Sequence, residues 1–479
     1  MGNELTKKYG LLTAIAMVVG IVIGSGVFFK AQNVLNITNG NMPLGILAWV
    51  IGGIVMIVCA FCFATMATKY EKVNGLVDYA EATCGSNYAY YIGWFISTIY
   101  YPAMTSVLAW VSARYTLVIF GQADPTTNTC LALAGLYLVA AYALNSLSPI
   151  LAGKFQVSTT IIKLIPLSIM AVVGTIYGLV FTPETASVPL LISNFATASN
   201  SGMEALFGAS VATVFAYEGW IIATSINAEI KDAKKNLPIA LTLGTAIIMI
   251  VYIAYYIGVA GGASVEALQT QGATIAFYNI FGNVFGTILN VFIAISCIST
   301  LNGLMLGTTR GLYALSARNK GPRPDIFSVV DQTTNMPSNS AIFGLFVSAV
   351  WLFYFFCANL SGIFTATYDA ETANAFIRLV GTLNTEAGTI SVNWFGFDSS
   401  EIPIVTVYAL YIPIFFKMFK FKEFSPFKRI VMPILAILGS AFMVFATIYS
   451  HKWTTFFYII VFAAFMLTGH FLKNGNKKV

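Results

Sequence analysis

Three glycines and a serine interrupt the first long apolar run of the sequence. The stretch Gly20–Phe28 reads GIVIGSGVF. Irregular backbone inside a membrane is tolerated only where protein or a water-filled cavity satisfies its amide groups. An unwound segment at Gly24, Ser25 and Gly26 would therefore present free N–H and C=O groups to a bound solute. The alternative is close helix packing, because Gly20 and Gly24 also fit a small-xxx-small spacing.

A second interruption falls in the sixth apolar run. The segment Thr213–Trp220 reads TVFAYEGW and places Glu218 and Gly219 in mid-span. Paired broken helices in corresponding positions of two halves point to a solute-binding site. Three roles for Glu218 stay open: a proton-titrating group, a partner for a substrate or for Lys163, and a structural acceptor for amides beside the break.

The helix ends created by these breaks suit a zwitterion. A half-helix that begins after Gly26 presents N–H groups and a positive dipole end, which bind a carboxylate. Carbonyl groups at the ends of the half-helices before each break can accept hydrogen bonds from an ammonium group. Such a site would recognise the group shared by all α-amino acids, and the surrounding volume would select the side chain. Phe215 is a candidate lid, although an aromatic ring in a helix bundle more often serves packing.

The fifth apolar run contains a lysine. Lys163 lies about eight residues inside the predicted inner end, roughly 12 Å at helical rise. A charge at membrane depth costs several kcal/mol unless it has a partner. Snorkelling to an interface is the alternative, and the depth argues against it. We predict that the Lys163 ammonium holds unwound carbonyl groups and replaces a bound sodium ion.

The composition is that of an integral membrane protein. Of 479 residues, 58% are hydrophobic and 9% are charged, whereas an ordinary soluble domain has about 25% charged residues. A helix needs about 20 apolar residues to cross the hydrocarbon. We predict a single all-α polytopic membrane domain covering residues 1–479. Its twelve predicted spans are residues 11–39, 44–67, 88–120, 131–148, 155–181, 204–226, 237–260, 273–309, 341–357, 402–417, 430–449 and 453–472.

The basic residues predict the orientation. Lysine and arginine collect in cytoplasmic loops. With both termini inside, 20 of the 25 basic residues lie on the inner side and Lys163 lies within a span. The outer side receives Lys30, Arg114, Arg378 and Lys452. We therefore predict a multi-pass protein of the cell membrane, plasma or inner, with cytoplasmic termini, and the charge pattern gives no reason to invoke nucleic acid.

The sequence does not contain the residue patterns that a metal site, an enzyme or a channel would require. The six cysteines are scattered and there are two histidines, so a metal site is not expected. No HExxH, GxSxG or Cys/His cluster is present, and we predict neither an enzyme nor a cofactor. A channel, the distant alternative, would need rings of charge or carbonyl groups along a continuous pore.

Five motifs resemble the amino acid–polyamine–organocation superfamily, specifically its L-amino acid transporter group, which includes bacterial serine/threonine and alanine/serine/cysteine exchangers. They follow in order between about residue 8 and residue 345. The motifs are G-x-I/V-I/V-G-S-G-V/I-F at Gly20–Phe28, K-L-I-P at Lys163–Pro166, FAY-x-GW at Phe215–Trp220, E-x-K-x-x-x-K-x-L/I-P at Glu229–Pro238, and an eighth-helix pattern at Asn302, Gly303, Arg310, Ala317 and Arg318.

The resemblance implies the LeuT-type fold. That fold has a five-plus-five inverted repeat with unwound helices 1 and 6, followed by helices 11 and 12. The repeats would cover about residues 10–181 and 204–417, and the extra helices about residues 430–472. The resemblance also implies sodium-independent, obligatory exchange of neutral L-amino acids, and we expect small to medium side chains.

Residue roles follow from the same resemblance. Ile23 and Phe215 would lend carbonyl groups to the substrate amine. Ser25 and Gly26 would lend amides to its carboxylate, and Lys163 would brace the first helix against the eighth near Ser299. The full expected substrate-binding set is Ile23, Gly24, Ser25, Gly26, Phe215, Ala216 and Glu218. The rival interpretation is a proton-coupled symporter or a cationic amino acid carrier that uses Glu218.

The sequence departs from the family pattern in places. After the second span, the usual P-x-x-G-G-x-Y-x-Y is replaced by Val73–Tyr79, and Ser299 stands where many relatives have glycine. A long insertion of unknown role follows Ala358. Animal relatives bind a single-pass glycoprotein through a cysteine between helices three and four. Here the first cysteine of that region is Cys130, at the edge of the loop, and we expect no obligate disulfide-linked partner.

Overall fold

Helices form most of the computed structural model, which describes residues 10–70, 75–122, 124, 126–184, 187–196, 201–221, 230–384 and 387–473. The first ten are α1 (Leu11–Val22), α2 (Gly26–Ile37), α3 (Met42–Lys69), α4 (Leu76–Cys84), α5 (Ser86–Phe95), α6 (Tyr101–Ile119), α7 (Asn128–Leu147), α8 (Pro149–Ile169), α9 (Thr175–Val180) and α10 (Leu190–Ala196). The next ten are α11 (Met203–Tyr217), α12 (Ala233–Ala260), α13 (Val265–Gln271), α14 (Ala273–Ser316), α15 (Pro324–Phe327), α16 (Ser338–Phe355), α17 (Ala375–Val380), α18 (Ile402–Met418), α19 (Met432–His451) and α20 (Trp453–Leu472). Single π-helical turns lie at Ile96–Tyr100, Met170–Gly174, Phe356–Leu360 and Phe427–Val431.

Eight helical segments within the described residues are long and apolar enough to cross a membrane. They are Met42–Lys69, Asn128–Leu147, Pro149–Val180, Ala233–Ala260, Ala273–Ser316, Ser338–Leu360, Phe427–His451 and Trp453–Leu472. Shorter apolar helices lie at Leu11–Gly20, Met203–Tyr217 and Ile402–Met418. The chain is therefore a polytopic helical membrane protein, while the count of twelve spans and the inverted repeat stay predictions.

The first predicted interruption is present between α1 and α2. The helix ends at Val22, and Ile23 has extended backbone with φ −66° and ψ 110°. Gly24 and Ser25 form a bend, and a new helix begins at Gly26. The backbone is thus unwound over three residues in the middle of the first apolar run.

The second predicted interruption follows α11. Glu218 is extended with φ −74° and ψ 157°, and Gly219 has φ +106°. That backbone region strongly favours glycine, because a side chain there would clash with its own backbone. Residues 222–229, which include Glu229 of the predicted cytoplasmic motif, lie outside the described residues.

Small residues allow the helices to pack closely. The π-helical turn after α8 contains Gly174, which packs against Gly258 of α12; a Cβ atom on either would collide with the backbone of the other helix. Membrane helices commonly associate through such small residues. Large aromatic side chains fill the remaining core, including the fully buried Trp49, Tyr217 and Tyr252.

The insertion after Ala358 adds a small sheet to the predicted all-helical class. Its strands are β1 (Thr365–Asp369), β2 (Thr382–Asn384) and β3 (Thr389–Asn393), arranged antiparallel in the order β1-β3-β2. These strands together with α17 are called the cap. Asn393 donates to the Ala358 carbonyl at 2.8 Å. The cap is therefore tied to the end of the preceding helical segment.

Candidate functional site

The two interruptions line one cavity of about 210 Å³. Six of the seven residues expected to bind substrate contribute to its wall, and Ile23 does not. The six are Gly24, Ser25, Gly26, Phe215, Ala216 and Glu218. Ile23 is fully buried beside them. Sequence reasoning missed the wall formed by Tyr100, Met104, Leu108, Gln156 and Thr300 on other elements.

Glycine is required where the two breaks touch. A Cβ atom on Gly26 would lie 2.6 Å from the Ala216 Cα and 3.2 Å from the Phe215 carbonyl oxygen. At Gly24 a Cβ atom would collide with the Thr300 side chain. The first turn of α2 therefore lies directly against the last turn of α11, which brings amide groups and the Phe215 carbonyl to the same cavity.

The start of α2 offers hydrogen-bond donors. The first N–H groups of any helix have no partner within the helix. Ser25 is the N-cap residue, and its side chain does not cap the helix. Its Oγ atom is buried without a hydrogen-bond partner among the described residues. This end of α2 is arranged to receive an anionic group.

Protein donors satisfy part of the freed end of α1. Lys163 Nζ donates to the Gly20 carbonyl at 3.2 Å, and the Tyr252 hydroxyl donates to the Val22 carbonyl at 3.1 Å. Lys163 is only 1% exposed. The buried lysine therefore binds near the unwound end of α1, and its expected replacement of a sodium ion stays a prediction.

The contact between α8 and α14 involves the predicted residue Ser299. Its hydroxyl hydrogen-bonds to that of Thr159, with 2.6 Å between the oxygen atoms. Thr159 lies one turn before Lys163 on α8. Thus α8 contacts α1 through the lysine and α14 through the threonine.

Glu218 lies in the cavity wall with one oxygen atom engaged. Its Oε1 atom accepts a hydrogen bond from the Tyr100 hydroxyl at 2.5 Å. The Oε2 atom is buried and has no hydrogen-bond partner within the described residues. Among the ion pairs found there, none joins Glu218 to Lys163. The carboxyl group also lies beside the Gly219 amide, so a proton site, a ligand contact and a structural acceptor for the break all stay open for it.

Aromatic rings close the cavity on the predicted outer side. The Phe215 and Phe29 rings meet edge to face with centroids 5.8 Å apart, and Phe29 packs similarly on Trp110 at 5.5 Å. Lys30 Nζ lies 5.2 Å from the Phe215 centroid. Phe215 thus lies between the cavity and these side chains, and its role as a lid stays a prediction.

A second cavity of about 260 Å³ continues toward the predicted cytoplasmic side. It shares Tyr100, Gly303 and Leu306 with the first cavity. Its far wall includes Gly75, Leu76 and Val77 of the departing motif; Val73 and Asn74 of that motif lie outside the described residues. The site thus has aromatic rings packed on its predicted outer side and adjoins this second cavity, called the vestibule, on the other side.

Comparison with known proteins agrees with this architecture. A family model described as amino acid permease matches residues 9–466. The chain is 28% identical to the serine/threonine exchanger SteT of Bacillus subtilis, over 93% of this chain and 92% of that one. It is 26% identical to the large neutral amino acids transporter small subunit 2 of Mus musculus, over 87% and 76% of the two chains. A b(0,+)-type amino acid transporter 1 of Oryctolagus cuniculus is 27% identical over 74% of each chain.

Proposed function

Because the chain belongs to the amino acid permease family, and is thus an amino acid transporter and not an enzyme, we propose that it is a sodium-independent, alternating-access exchanger of neutral L-amino acids. One observation carries this proposal. Two unwound helix segments line a single buried cavity, and a helix start with no side-chain cap faces it beside a freed carbonyl end. These are the groups that a zwitterion requires.

In the proposed complex, the substrate carboxylate accepts hydrogen bonds from the amides of Ser25 and Gly26. The substrate ammonium donates to the carbonyl groups of Ile23 and Phe215. Both ends of the zwitterion are then paired, which offsets the loss of its hydration. The contact of Gly26 with Phe215 and Ala216 supports the part of this arrangement that involves Phe215, whereas Ile23 lies buried beside the cavity and outside its wall.

The cavity volume supports small to medium side chains. Pockets for drug-sized ligands begin at about 300 Å³, and this cavity is smaller, about 210 Å³. Met104, Leu108 and Leu304 form an apolar part of its wall. A short uncharged side chain would fill this part without leaving a charge unpaired.

Exchange follows if the loaded site alternates between the two sides. The vestibule adjoins the site on one side, and Phe215 and Phe29 pack together on the other, which supports such alternation. We infer that substrate leaves through the vestibule and that the Phe215 and Phe29 rings, called the roof, move apart in the other state. Sodium is not required in this scheme, because Lys163 already holds the Gly20 carbonyl.

Counterflow tests the proposal. Proteoliposomes that contain purified protein and one labelled neutral amino acid are placed in a panel of unlabelled amino acids. We expect efflux of label to be stimulated by a subset of small neutral amino acids, and choline to replace sodium without effect. Steep sodium dependence would contradict the role of Lys163, and conductance without saturable exchange would point to the channel.

The free Oε2 atom of Glu218 favours a second candidate, a proton-coupled or cationic amino acid carrier. This carrier would be driven by a pH gradient or accept a cationic side chain at Glu218. Glu218→Gln should then abolish the pH response or the cationic uptake. An unchanged response in the Gln variant would eliminate this candidate.

We further propose that the transporter lies in the cell membrane with both termini in the cytoplasm and works without a disulfide-linked subunit. The Cys130 thiol is fully buried on α7, which supports the second part of this proposal. Electrophoresis of native membranes with and without reductant tests it. A larger species that disappears on reduction would contradict it.

A further inference from the structure

Three ionisable residues from distant parts of the sequence form a network on the predicted outer side. Lys30 forms an ion pair with Glu401 and also donates to the Ser400 hydroxyl at 2.9 Å. The His451 Nε2 atom lies 3.3 Å from the other Glu401 oxygen. The Lys30 and Glu401 side chains are 1% and 2% exposed, whereas His451 is 20% exposed.

The network joins three elements. Lys30 belongs to α2, Glu401 is the N-cap residue of α18, and His451 is the last residue of α19. A buried ion whose partner is removed costs several kcal/mol, so each charge holds the other in place. While the pair is intact, α2 is therefore tied to the outer ends of α18 and α19.

The same lysine contacts the roof of the substrate cavity. Its Nζ atom lies 5.1 Å from the Phe29 centroid and 5.2 Å from the Phe215 centroid. Such cation–π contacts add to the attraction of the ion pair. Lys30 lies about one turn beyond Gly26, the residue at which α2 leaves the cavity. An outward movement of α2 that uncovers the cavity must separate Lys30 from Glu401.

We propose that Lys30, Glu401 and His451 form an ionic latch that holds the outer gate closed, and that protonation of His451 from outside favours its release. This inference rests on the proposed transport function. Lys30 and Glu401 are positioning residues, since they act on the substrate site through α2 and Phe215.

Charge counting gives the direction of the pH effect. Burial would raise the pKa of the Glu401 carboxyl, but Lys30 and His451 lower it to about 2, so Glu401 stays anionic. Histidine is the side chain that ordinarily changes charge near neutral pH. When His451 is neutral, departure of Lys30 leaves the carboxylate without a cation. When His451 is protonated, the carboxylate keeps a partner, and opening costs less.

Other charged groups also lie near the network. Asp398 accepts from the Ser400 hydroxyl at 2.5 Å. Arg114 of α6 binds Gln32 of α2 at 3.0 Å, and Lys452 pairs with Glu204 of α11 at 3.2 Å. Carboxylates, lysine and arginine ordinarily keep their charge from about pH 5.5 to about pH 8. His451 is therefore assigned the pH response of the latch.

The cap positions this latch. Trp453, two residues after His451, donates its indole N–H to the Trp394 carbonyl at 3.2 Å, and the two rings lie 5.6 Å apart. The chain then runs from Trp394 through Asp398 to Glu401. The insertion thus links Glu401 to the end of α19 that carries His451, which gives this segment a role in the gate.

The test measures amino acid transport and the hydrogen exchange of the α2 amides in the same variants. Lys30→Met/Glu401→Gln removes both charges together and leaves no buried ion unpaired. We expect the external KM for counterflow to fall by roughly 5- to 30-fold in this variant. Hydrogen exchange of the α2 amides, measured at one pH, should accelerate by a similar factor.

His451→Gln tests the pH response. In the wild type we expect the external KM to fall by about fivefold or more from about pH 8 to about pH 5.5, and the Gln variant should lose this dependence while still exchanging substrate. Lys452→Gln is the matched control, because it removes the neighbouring surface cation and leaves Glu401 paired.

Three outcomes overturn the latch: unchanged external KM and α2 exchange in the double variant, a pH response that persists in His451→Gln, or one that disappears equally in Lys452→Gln. Hydrogen exchange needs no substrate. Faster α2 exchange without any amino acid counterflow would therefore reject the proposed function while retaining the latch.

Discussion

Replacing Lys163 with methionine tests the bracing of the first helix. Methionine keeps most of the side-chain volume but removes the charge and the donor to the Gly20 carbonyl, which lies 3.2 Å from Nζ. A hydrogen bond from a charged group contributes about 1.5–3 kcal/mol. If that energy holds the unwound end of α1 in its binding geometry, exchange should slow by roughly 10- to 150-fold.

The assay is the initial rate of counterflow in proteoliposomes with matched amounts of protein. Thermal unfolding in detergent checks that Lys163→Met is folded. Lys154→Met, at an exposed position of the same helix, is the matched control and should exchange normally. Exchange within about twofold of the wild type in Lys163→Met would refute the bracing role, since the lost hydrogen bond would then contribute under about 0.5 kcal/mol.

Three further predictions follow from the site. Gly26→Ala should lower substrate affinity by roughly tenfold or more, because its Cβ atom would lie 2.6 Å from the Ala216 Cα and push α2 away from α11; equilibrium binding measures this, and unchanged affinity would contradict the site geometry. Tyr100→Phe should remove the hydroxyl donor to Glu218, so that an ionised carboxylate is left without this partner and exchange falls as external pH rises. A pH profile against the wild type checks this, and an identical profile would show that the hydrogen bond is not coupled to transport. Asn302→Ala should destabilise the folded protein by about 1–3 kcal/mol, because Asn302 accepts from Asn145 at 2.9 Å in a buried network; thermal unfolding measures the loss, and an unchanged midpoint would count against it.

The helix breaks were predictable because they are local. Glycine and a charged residue in mid-span conflict with a continuous apolar helix, and the conflict is visible within ten residues of sequence. The resemblance to the amino acid transporter superfamily is confirmed by the family match and by relatives that include serine/threonine exchangers. The expected roles of Ile23, Ser25 and Lys163 stay predictions, since they depend on a bound substrate.

Other parts of the site depend on distant pairings that a single sequence does not reveal. Tyr100 lies in a π-helical turn, which places its hydroxyl group on Glu218. That turn contains no glycine; the nearby signal is Pro102, which lacks an N–H group, so that the Thr98 carbonyl accepts from Trp351. From the sequence, Lys30 was counted only as a basic residue of the outer side. Its ion-pair partner, Glu401, lies 371 residues away. Hydrophobic patterning does not predict which charges pair over such a separation. It also did not predict the small sheet in the insertion.

The two buried lysines give the broken helix a mechanical interpretation. Lys163 ties α1 to α8, and Lys30 ties α2 to α18 and α19. The unwound residues from Ile23 to Ser25 lie between these ties, where no helical hydrogen bond couples the two halves. If the proposed latch releases Lys30, α2 can move while α1 stays bound to α8, so that the outer gate would open without disturbing the inner half. An uninterrupted helix would transmit the movement along its whole length and lose this independence.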